Sequence, residues 1–384
     1  MIRIALEMLF GDRAKLIAII VGVTFAALIM TQQPSIFVGL LMRTYAFIED
    51  VPLPDVWVMD PGVDYVEEHK PLRETALGRV RGVDGVAWAV PMYKNVMTTR
   101  LPDGQLKAIN LTGIDDPSMI GGPPKMLEGS LADLRRADGV IVDIDAAKRR
   151  LAWTDADGKV HPLRVGDEFE LNDRRAVVVG IAETSRDFVL LPKVFTTYSR
   201  ALTYAPRQSR QLTYILVKAK EGVAPLELAE RITNVTGLKA LSAGDFRRLT
   251  LGYWMKNTGI PINFGISVTL GFLVGAAVAG QSFFNFVREN LGQYAALKAM
   301  GLRNGVLVQM VVVQALLAGG IGYGIGVGLS ALFGTAMRGT VLAFAMLPEV
   351  LLFSATGVLL IVSIAALLGI RQVIRLDPAV VFRS

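Results

Sequence analysis

Few side chains in this sequence are of a kind that does chemistry. There is no cysteine, and there are two histidines, His69 and His161. That excludes a thiolate nucleophile, thiolate metal ligation and disulfides, and two histidines cannot build a multi-histidine metal centre. Carboxylates come close together at Asp115, Asp116, Asp143 and Asp145. Such pairs could act as general acid and base or hold a cation, but their setting reads as turns and solvated strand ends. His69 and His161 stand beside charged residues and proline, as surface histidines do. No serine lies in a Gly-x-Ser-x-Gly context. The phosphate loop Gly-x4-Gly-Lys-Ser/Thr and the zinc-protease pattern His-Glu-x-x-His are both missing. No catalytic, cofactor or metal site is expected in this chain, which has no recognisable means of its own to hydrolyse ATP.

One stretch invites a nucleotide reading. Gly320, Gly322, Gly324, Gly326 and Gly328 alternate with other residues in the middle of a long uncharged run. No strand–turn–helix pattern surrounds them. On a helix they form two ladders, Gly320/Gly324/Gly328 and Gly322/Gly326. Small-x3-small ladders let a second helix approach closely, so helix packing is the expected role.

The elements that carry these residues are set by where charge is missing. Residues 16–42, 257–287, 304–337 and 350–370 hold no Asp, Glu, Lys or Arg, in runs of 27, 31, 34 and 21. A helix crosses a hydrocarbon core with about 20 apolar residues, and a central charge costs about 2.5–3.5 kcal/mol on insertion scales. Hydrophobic residues make up 52% of the 384 and charged ones 19%, more apolar than a soluble chain. Four transmembrane helices are predicted, at 16–42, 259–286, 305–335 and 350–370. The first is read as a spanning helix kinked at Pro34 rather than a cleaved signal peptide. Its apolar run resumes at Ile36–Met42, and no small-x-small cleavage site follows the first apolar block.

Orientation follows from the short flanks. Arg3, Arg13, Lys15, Arg288, Lys298, Arg303, Arg371, Arg375 and Arg383 flank one side, against Arg338 alone on the other. Basic flanks stay in the cytoplasm. The expectation is therefore a cytoplasmic segment 1–15, a cytoplasmic helix within 287–304 and a cytoplasmic tail 371–384. The 43–258 segment would lie outside the cytoplasm. The net charge of +6 belongs mostly to these flanks and not to the clustered basic face that nucleic acid needs.

Residues 43–258 read as an α+β domain. Strands are expected at 55–60, 86–91, 139–143 and 213–218, hairpins at 96–113 and 168–181, and helices at 146–151 and 225–236. Breaks near Gly121–Pro124 and Tyr204–Pro206 suggest an inserted subdomain at 120–203.

The 286–301 segment keeps a helical apolar spacing, with Leu291, Tyr294, Leu297 and Met300 recurring every third residue and Gly301 as its C-cap. It reads as a short amphipathic helix, either lying on lipid or docking on a soluble partner. At this point the sequence resembles the permease subunits of ABC transporters of the macrolide-exporter and lipoprotein-release type, the MacB/FtsX-like permeases. Glu289, Tyr294, Ala295, Leu297, Lys298, Ala299, Met300 and Gly301 fit that family's pattern after the second span; Asn290 and Gln293 depart from it. The ending Arg375, Asp377-Pro378-Ala379, Val380, Val381, Phe382 and Arg383 fits as well, and so does the layout of one span, a large domain and three spans.

The resemblance implies a non-catalytic permease in the inner membrane. Its partners would be a separate ATP-binding subunit, which binds the ATP and magnesium, and a second permease copy in a homodimer. The single-permease exporters add a periplasmic membrane-fusion protein and an outer-membrane channel. Arg288, Glu289, Leu291, Tyr294, Leu297, Lys298 and Gly301 would form the helix that couples to the ATPase. Export of a periplasmic or outer-leaflet substrate is the implied function. Mechanical signalling to a cell-wall hydrolase or its activator is the alternative.

Overall fold

The computed structural model describes residues 2–206 and 211–375. It divides into two compact units, residues 1–40 with 259–384, and residues 41–258. The motif Asp377-Pro378-Ala379 and the residues after it lie outside the described residues.

The chain opens with α1 (Ile2–Gly11) and α2 (Arg13–Thr44). Helix α1 falls in the 1–15 segment, for which the sequence predicts no helix. It is too short to span, yet it buries Ala5, Met8 and Leu9 in the core of the helical unit. Helix α2 runs unbroken through Pro34, which removes one backbone donor. Nearby, the Ser35 carbonyl accepts a hydrogen bond from Ala345 N at 2.9 Å.

The 41–258 unit contains α3 (Ala46–Asp50), β1 (Val56–Met59), α4 (Thr75–Arg81), β2 (Val86–Arg100), β3 (Leu106–Ile114), β4 (Lys125–Glu128) and β5 (Gly139–Asp143). A five-residue π-helix, Ala146–Arg150, stands where an α-helix was expected. Then come β6 (Trp153–Thr154), β7 (Val160–His161), β8 (Glu168–Leu171), β9 (Arg174–Glu183), β10 (Lys193–Thr197), α5 (Tyr198–Tyr204), β11 (Tyr214–Ala219), α6 (Pro225–Thr236), β12 (Lys239–Ser242) and α7 (Ala243–Asn257).

Ten strands make one sheet in the order β12-β1-β11-β2-β3-β10-β5-β9-β4, with β8 paired to β2 and β9. The 120–203 block is therefore not a self-contained insertion. Its strand β10 pairs in parallel with β3, from Lys193↔Asn110 to Thr197↔Ile114. The real division falls inside β2. Its first half pairs with β11, ending at Met92↔Tyr214, and its second half pairs with β3, beginning at Tyr93↔Gly113. One core lies on the first half, around Trp57, Tyr214 and Phe246, and another on the second, around Tyr93, Leu111 and Val142. Loop breaks in sequence do not reveal this, because the seam lies within an uninterrupted strand.

The helical unit is completed by α8 (Ile260–Glu289), α9 (Leu291–Ala299), α10 (Asn304–Ala336) and α11 (Pro348–Ile374). Among the described residues, α2, α8, α10 and α11 are the four helices long and apolar enough to cross a membrane. Helices α2, α10 and α11 outrun their predicted spans by one to four residues at both ends, and α8 starts one residue inside its span and runs three past its end. Absence of charge locates the apolar stretch, whereas a helix continues into its charged flanks.

Candidate functional site

Two places in the structure combine residues in ways that bulk packing does not require. The first is α9, between α8 and α10. It is not continuous with α8, because the backbone turns at Asn290 (φ −88°, ψ 6°) and Asn290 Nδ2 donates to the Phe286 carbonyl at 2.8 Å. At its other end Leu302 N bonds the Leu297 carbonyl and Gly301 N the Lys298 carbonyl. That pair of bonds is a Schellman cap, which needs a left-handed residue; Gly301 has φ +92°.

The inner face of α9 is fixed to the bundle. Tyr294, Ala295 and Leu297 are buried, and Leu291 packs against the same core. The Tyr294 hydroxyl donates to Gln314 Oε1 at 2.7 Å, and Gln314 Nε2 donates to the Ala5 carbonyl at 2.8 Å, tying α9, α10 and α1 together. Gln314 is thus interhelical glue, as its place in an apolar run suggests. Glu289 pairs with Lys15, which also holds Asp12, and Lys298 Nζ donates to the Ile374 carbonyl at 3.3 Å. Arg288 is exposed.

The outer face carries Gly292, Gln293 and Met300. Met300 is 71% exposed, so it does not belong to the buried stripe with Leu291, Tyr294 and Leu297. A helix turns about 100° per residue, so a three-residue spacing slips about 60° at each step and the third step reaches the opposite face.

The glycine ladders separate in the same manner. Gly322 and Gly326 are buried against α2. A Cβ at Gly326 would stand 2.6 Å from Ala27 Cβ and 2.8 Å from the Thr24 carbonyl oxygen. At Gly320, Gly324 and Gly328 nothing beyond α10's own adjacent backbone lies within 4 Å of that position among the described residues.

The second place is a cluster of buried charge in the 41–258 unit. Lys94 on β2 points inward, 1% exposed, and pairs with Glu67. Its Nζ lies 3.3 Å from His69 Nε2 and 4.6 Å from the centroid of the Phe47 ring on α3. Glu67 also accepts from Asn110 Nδ2 at 3.1 Å. Lys193 on β10 lies 3.6 Å from Asp50 Oδ2 on α3, and Asp50 accepts from Ser185 N at 3.0 Å. Asp187, 2% exposed, is 4.0 Å from Lys193.

Burial works against every charge here, and the neighbours decide the outcome. Burial raises Glu67, but Lys94 and His69 outweigh it and hold its carboxyl below the ordinary value. Burial lowers Lys94, with Glu67 resisting. Burial raises Asp187, with Lys193 resisting. Burial together with the Lys94 charge pushes His69 down to about 3.

His69 is thus not the surface histidine its sequence neighbours suggest. Flanking charges, here Glu68 and Lys70, do not report where an imidazole points. His161 does sit near the surface, stacked on Trp153 and bonded to Asp155 at 2.6 Å. The aspartates do turn and cap work. Asp115 accepts from Ser118, Asp116 from Ser199, and Asp143 from the backbone of Asp145, Ala146 and Thr184; Asp145 pairs with Arg186 and Arg149.

A pH dependence follows from His69. Its folded pKa lies below its unfolded one, so between about pH 3 and 6.5 the unfolded chain binds more protons and stability rises with pH. Lowering the pH from 6.5 to 5 should remove about 2 kcal/mol through His69. In His69→Gln that component disappears. The four tryptophans, 57, 88, 153 and 254, all lie in the 41–258 unit, so denaturant unfolding of the detergent-solubilised chain followed by tryptophan fluorescence reads this unit alone. An equal loss in the variant would refute the assignment.

Four membrane-length helices with a large α/β domain between the first and second define an integral membrane protein with a transporter-like layout. Comparison with known proteins makes that specific. Residues 16–235 match the MacB-like periplasmic core domain, and residues 265–378 match the FtsX-like permease C-terminal domain. The chain belongs to this MacB/FtsX-like family of ABC transporter permeases. Uncharacterized ABC transporter permeases of Mycobacterium bovis and Mycobacterium tuberculosis are 24% identical over 318 residues, 81% of this chain and 79% of theirs. Among solved structures, the periplasmic region of MacB from Actinobacillus actinomycetemcomitans is similar at 14% identity, covering 53% of this chain and 96% of that one, with a TM-score of 0.37. The extracellular domain of the noncanonic ABC-type transporter YknZ from Gram-positive bacteria covers 49% of this chain and 98% of its own, at 16% identity and a TM-score of 0.34. Membership in the family implies an ATP-binding partner.

Proposed function

We propose that this permease converts ATP hydrolysis in a separate subunit into movement of its extracytoplasmic domain, and that the movement exports a substrate from the periplasm or the outer leaflet. The asymmetry of basic flanks supports a cytoplasmic position for both termini and α9 in an inner-membrane protein. Two permease copies, two ATP-binding subunits, a membrane-fusion protein and an outer-membrane channel complete the assembly in this reading.

The observation that carries the proposal is the two-faced build of α9. Its inner face is locked to α10 and α1 through Tyr294 and Gln314, while Gly292, Gln293 and Met300 stand free on the other side. A helix held in this way passes a push on its outer face to the spans instead of absorbing it. The apolar interiors of the spans offer no charged route for a substrate, which favours mechanical transmission.

The test lies on the outer face. In a reconstituted complex with its ATP-binding subunit, Gln293→Trp combined with Met300→Glu should lower substrate-stimulated ATP hydrolysis about tenfold or more without lowering thermal stability. Leu297→Asp is unsuitable as an uncoupling variant, because Leu297 is 7% exposed and the charge would be buried in the bundle. Unchanged stimulation in the double variant refutes the lever. Co-purification of a cell-wall hydrolase or its activator, in place of a fusion protein, would change the output from export to signalling.

A further inference from the structure

The helical unit contains a cavity of about 580 Å³ between α2, α8 and α11. Met30 comes from α2, Phe272 from α8, and Leu352, Phe353 and Leu360 from α11. Two threonines also line it, but Thr269 Oγ1 donates to the Gly265 carbonyl and Thr356 Oγ1 to the Leu352 carbonyl, each at 2.8 Å. Their hydrogens are committed to their own helices, which leaves the walls apolar.

One charged side chain lines the cavity. Glu349 stands in the first turn of α11 and is exposed. It makes no hydrogen bond or ion pair with any described residue. The positive end of the helix dipole explains why a carboxylate is tolerated at this position. It does not supply a counter-charge on the cavity side. The volume falls within the range of small-ligand sites, about 300–1,000 Å³.

Helices α2, α8 and α11, which line the cavity, are each long and apolar enough to cross a membrane, so its open side is expected to meet lipid. An apolar cleft between spans is filled by chains from the leaflet beside it, and a carboxylate at its rim selects among the headgroups those chains carry. A phosphatidylglycerol headgroup presents only negative charge to Glu349. A phosphatidylethanolamine headgroup presents a primary ammonium, which forms a charge-assisted hydrogen bond with a carboxylate. We propose that this cavity is a phospholipid site: it holds an acyl chain of a lipid whose ammonium headgroup pairs with Glu349. The inference concerns the helical unit alone. It holds whichever side of the membrane carries this end of α11, and it does not depend on the coupling proposal.

Native mass spectrometry of the full chain in detergent tests it, with phosphatidylethanolamine and phosphatidylglycerol of matched chains added in equal amounts. The wild-type chain should retain the ethanolamine lipid over the glycerol lipid about tenfold, which corresponds to about 1.4 kcal/mol. Glu349→Gln should bring that ratio close to one. Leu352→Trp starts from a position that is 70% exposed and puts an indole into the cavity, so it should lower retention of both lipids. Equal retention by the wild type, preference for the glycerol lipid, or an unchanged ratio in Glu349→Gln each overturns the proposal.

Discussion

Replacing Lys94 by methionine should lower the unfolding free energy of the 41–258 unit by about 3–5 kcal/mol, the cost of leaving one member of a buried ion pair without the other. Lys94 is 1% exposed and Glu67 8%, so water cannot take the place of the missing ammonium. Asn110 Nδ2 still donates to Glu67 and His69 Nε2 lies 3.7 Å from it, but neither replaces the ammonium in direct contact with the buried carboxylate. The methionine itself fits, since its chain fills the volume of the lysine stem beside Phe47. The loss is therefore electrostatic, and the double variant Lys94→Met, Glu67→Met should recover most of it, because an apolar pair of similar volume is often neutral or better. Urea unfolding of the solubilised chain, followed by tryptophan fluorescence, measures both. A single-variant loss below about 1 kcal/mol, the size of an exposed pair, would show that the cluster is solvated and the account is wrong.

The second large effect is expected between helices. Gly326→Leu should destabilise the helical unit by about 3 kcal/mol, the upper end of ordinary overpacking costs, and should broaden or abolish the monodisperse peak in size-exclusion chromatography. A Cβ there would press on the Thr24 carbonyl oxygen at 2.8 Å and the Leu28 nitrogen at 2.9 Å. These are backbone atoms of α2, which cannot rotate away as a side-chain tip does. Gly324→Leu, two residues earlier and on the open ladder, meets nothing beyond α10's own adjacent backbone within 4 Å among the described residues and should leave the thermal midpoint of the isolated chain unchanged. If the two variants melt alike, α2 and α10 are not in contact along this face. If Gly324→Leu alone fails when the chain self-associates, the open ladder faces another copy.

What the sequence made legible was whatever depends on one-dimensional runs. Four uncharged stretches located four helices, because the cost of a charge in lipid acts on each residue independently of its partners. Strands β1, β5 and β11 and both hairpins were visible through alternation and turn residues. The buried cluster was not. Glu67, His69 and Lys94 are each polar residues in polar company, and only the fold brings β2 against the 63–70 segment. Burial of a charge is a property of the pair, and the pair is 27 residues apart. On α9 the three-residue spacing keeps Tyr294 and Leu297 buried, but by Met300 it has slipped round to the exposed side. Helix α1 left too little periodicity over ten residues to be noticed, although Ala5 and Leu9 are fully enclosed.

The fifteen residues of β2, at roughly 3.3 Å each, form a rod of about 50 Å whose two halves belong to different cores. A domain built from lobes joined by loops can fold like a clamshell. This one shares a single load-carrying beam between its lobes, stitched by hydrogen bonds to β11 at one end and to β3 at the other. No loop separates the two lobes along this strand, so the joint between them is a paired ladder. Any rotation of one lobe against the other would therefore have to strain β2 and its two ladders, with no loop there to serve as a hinge.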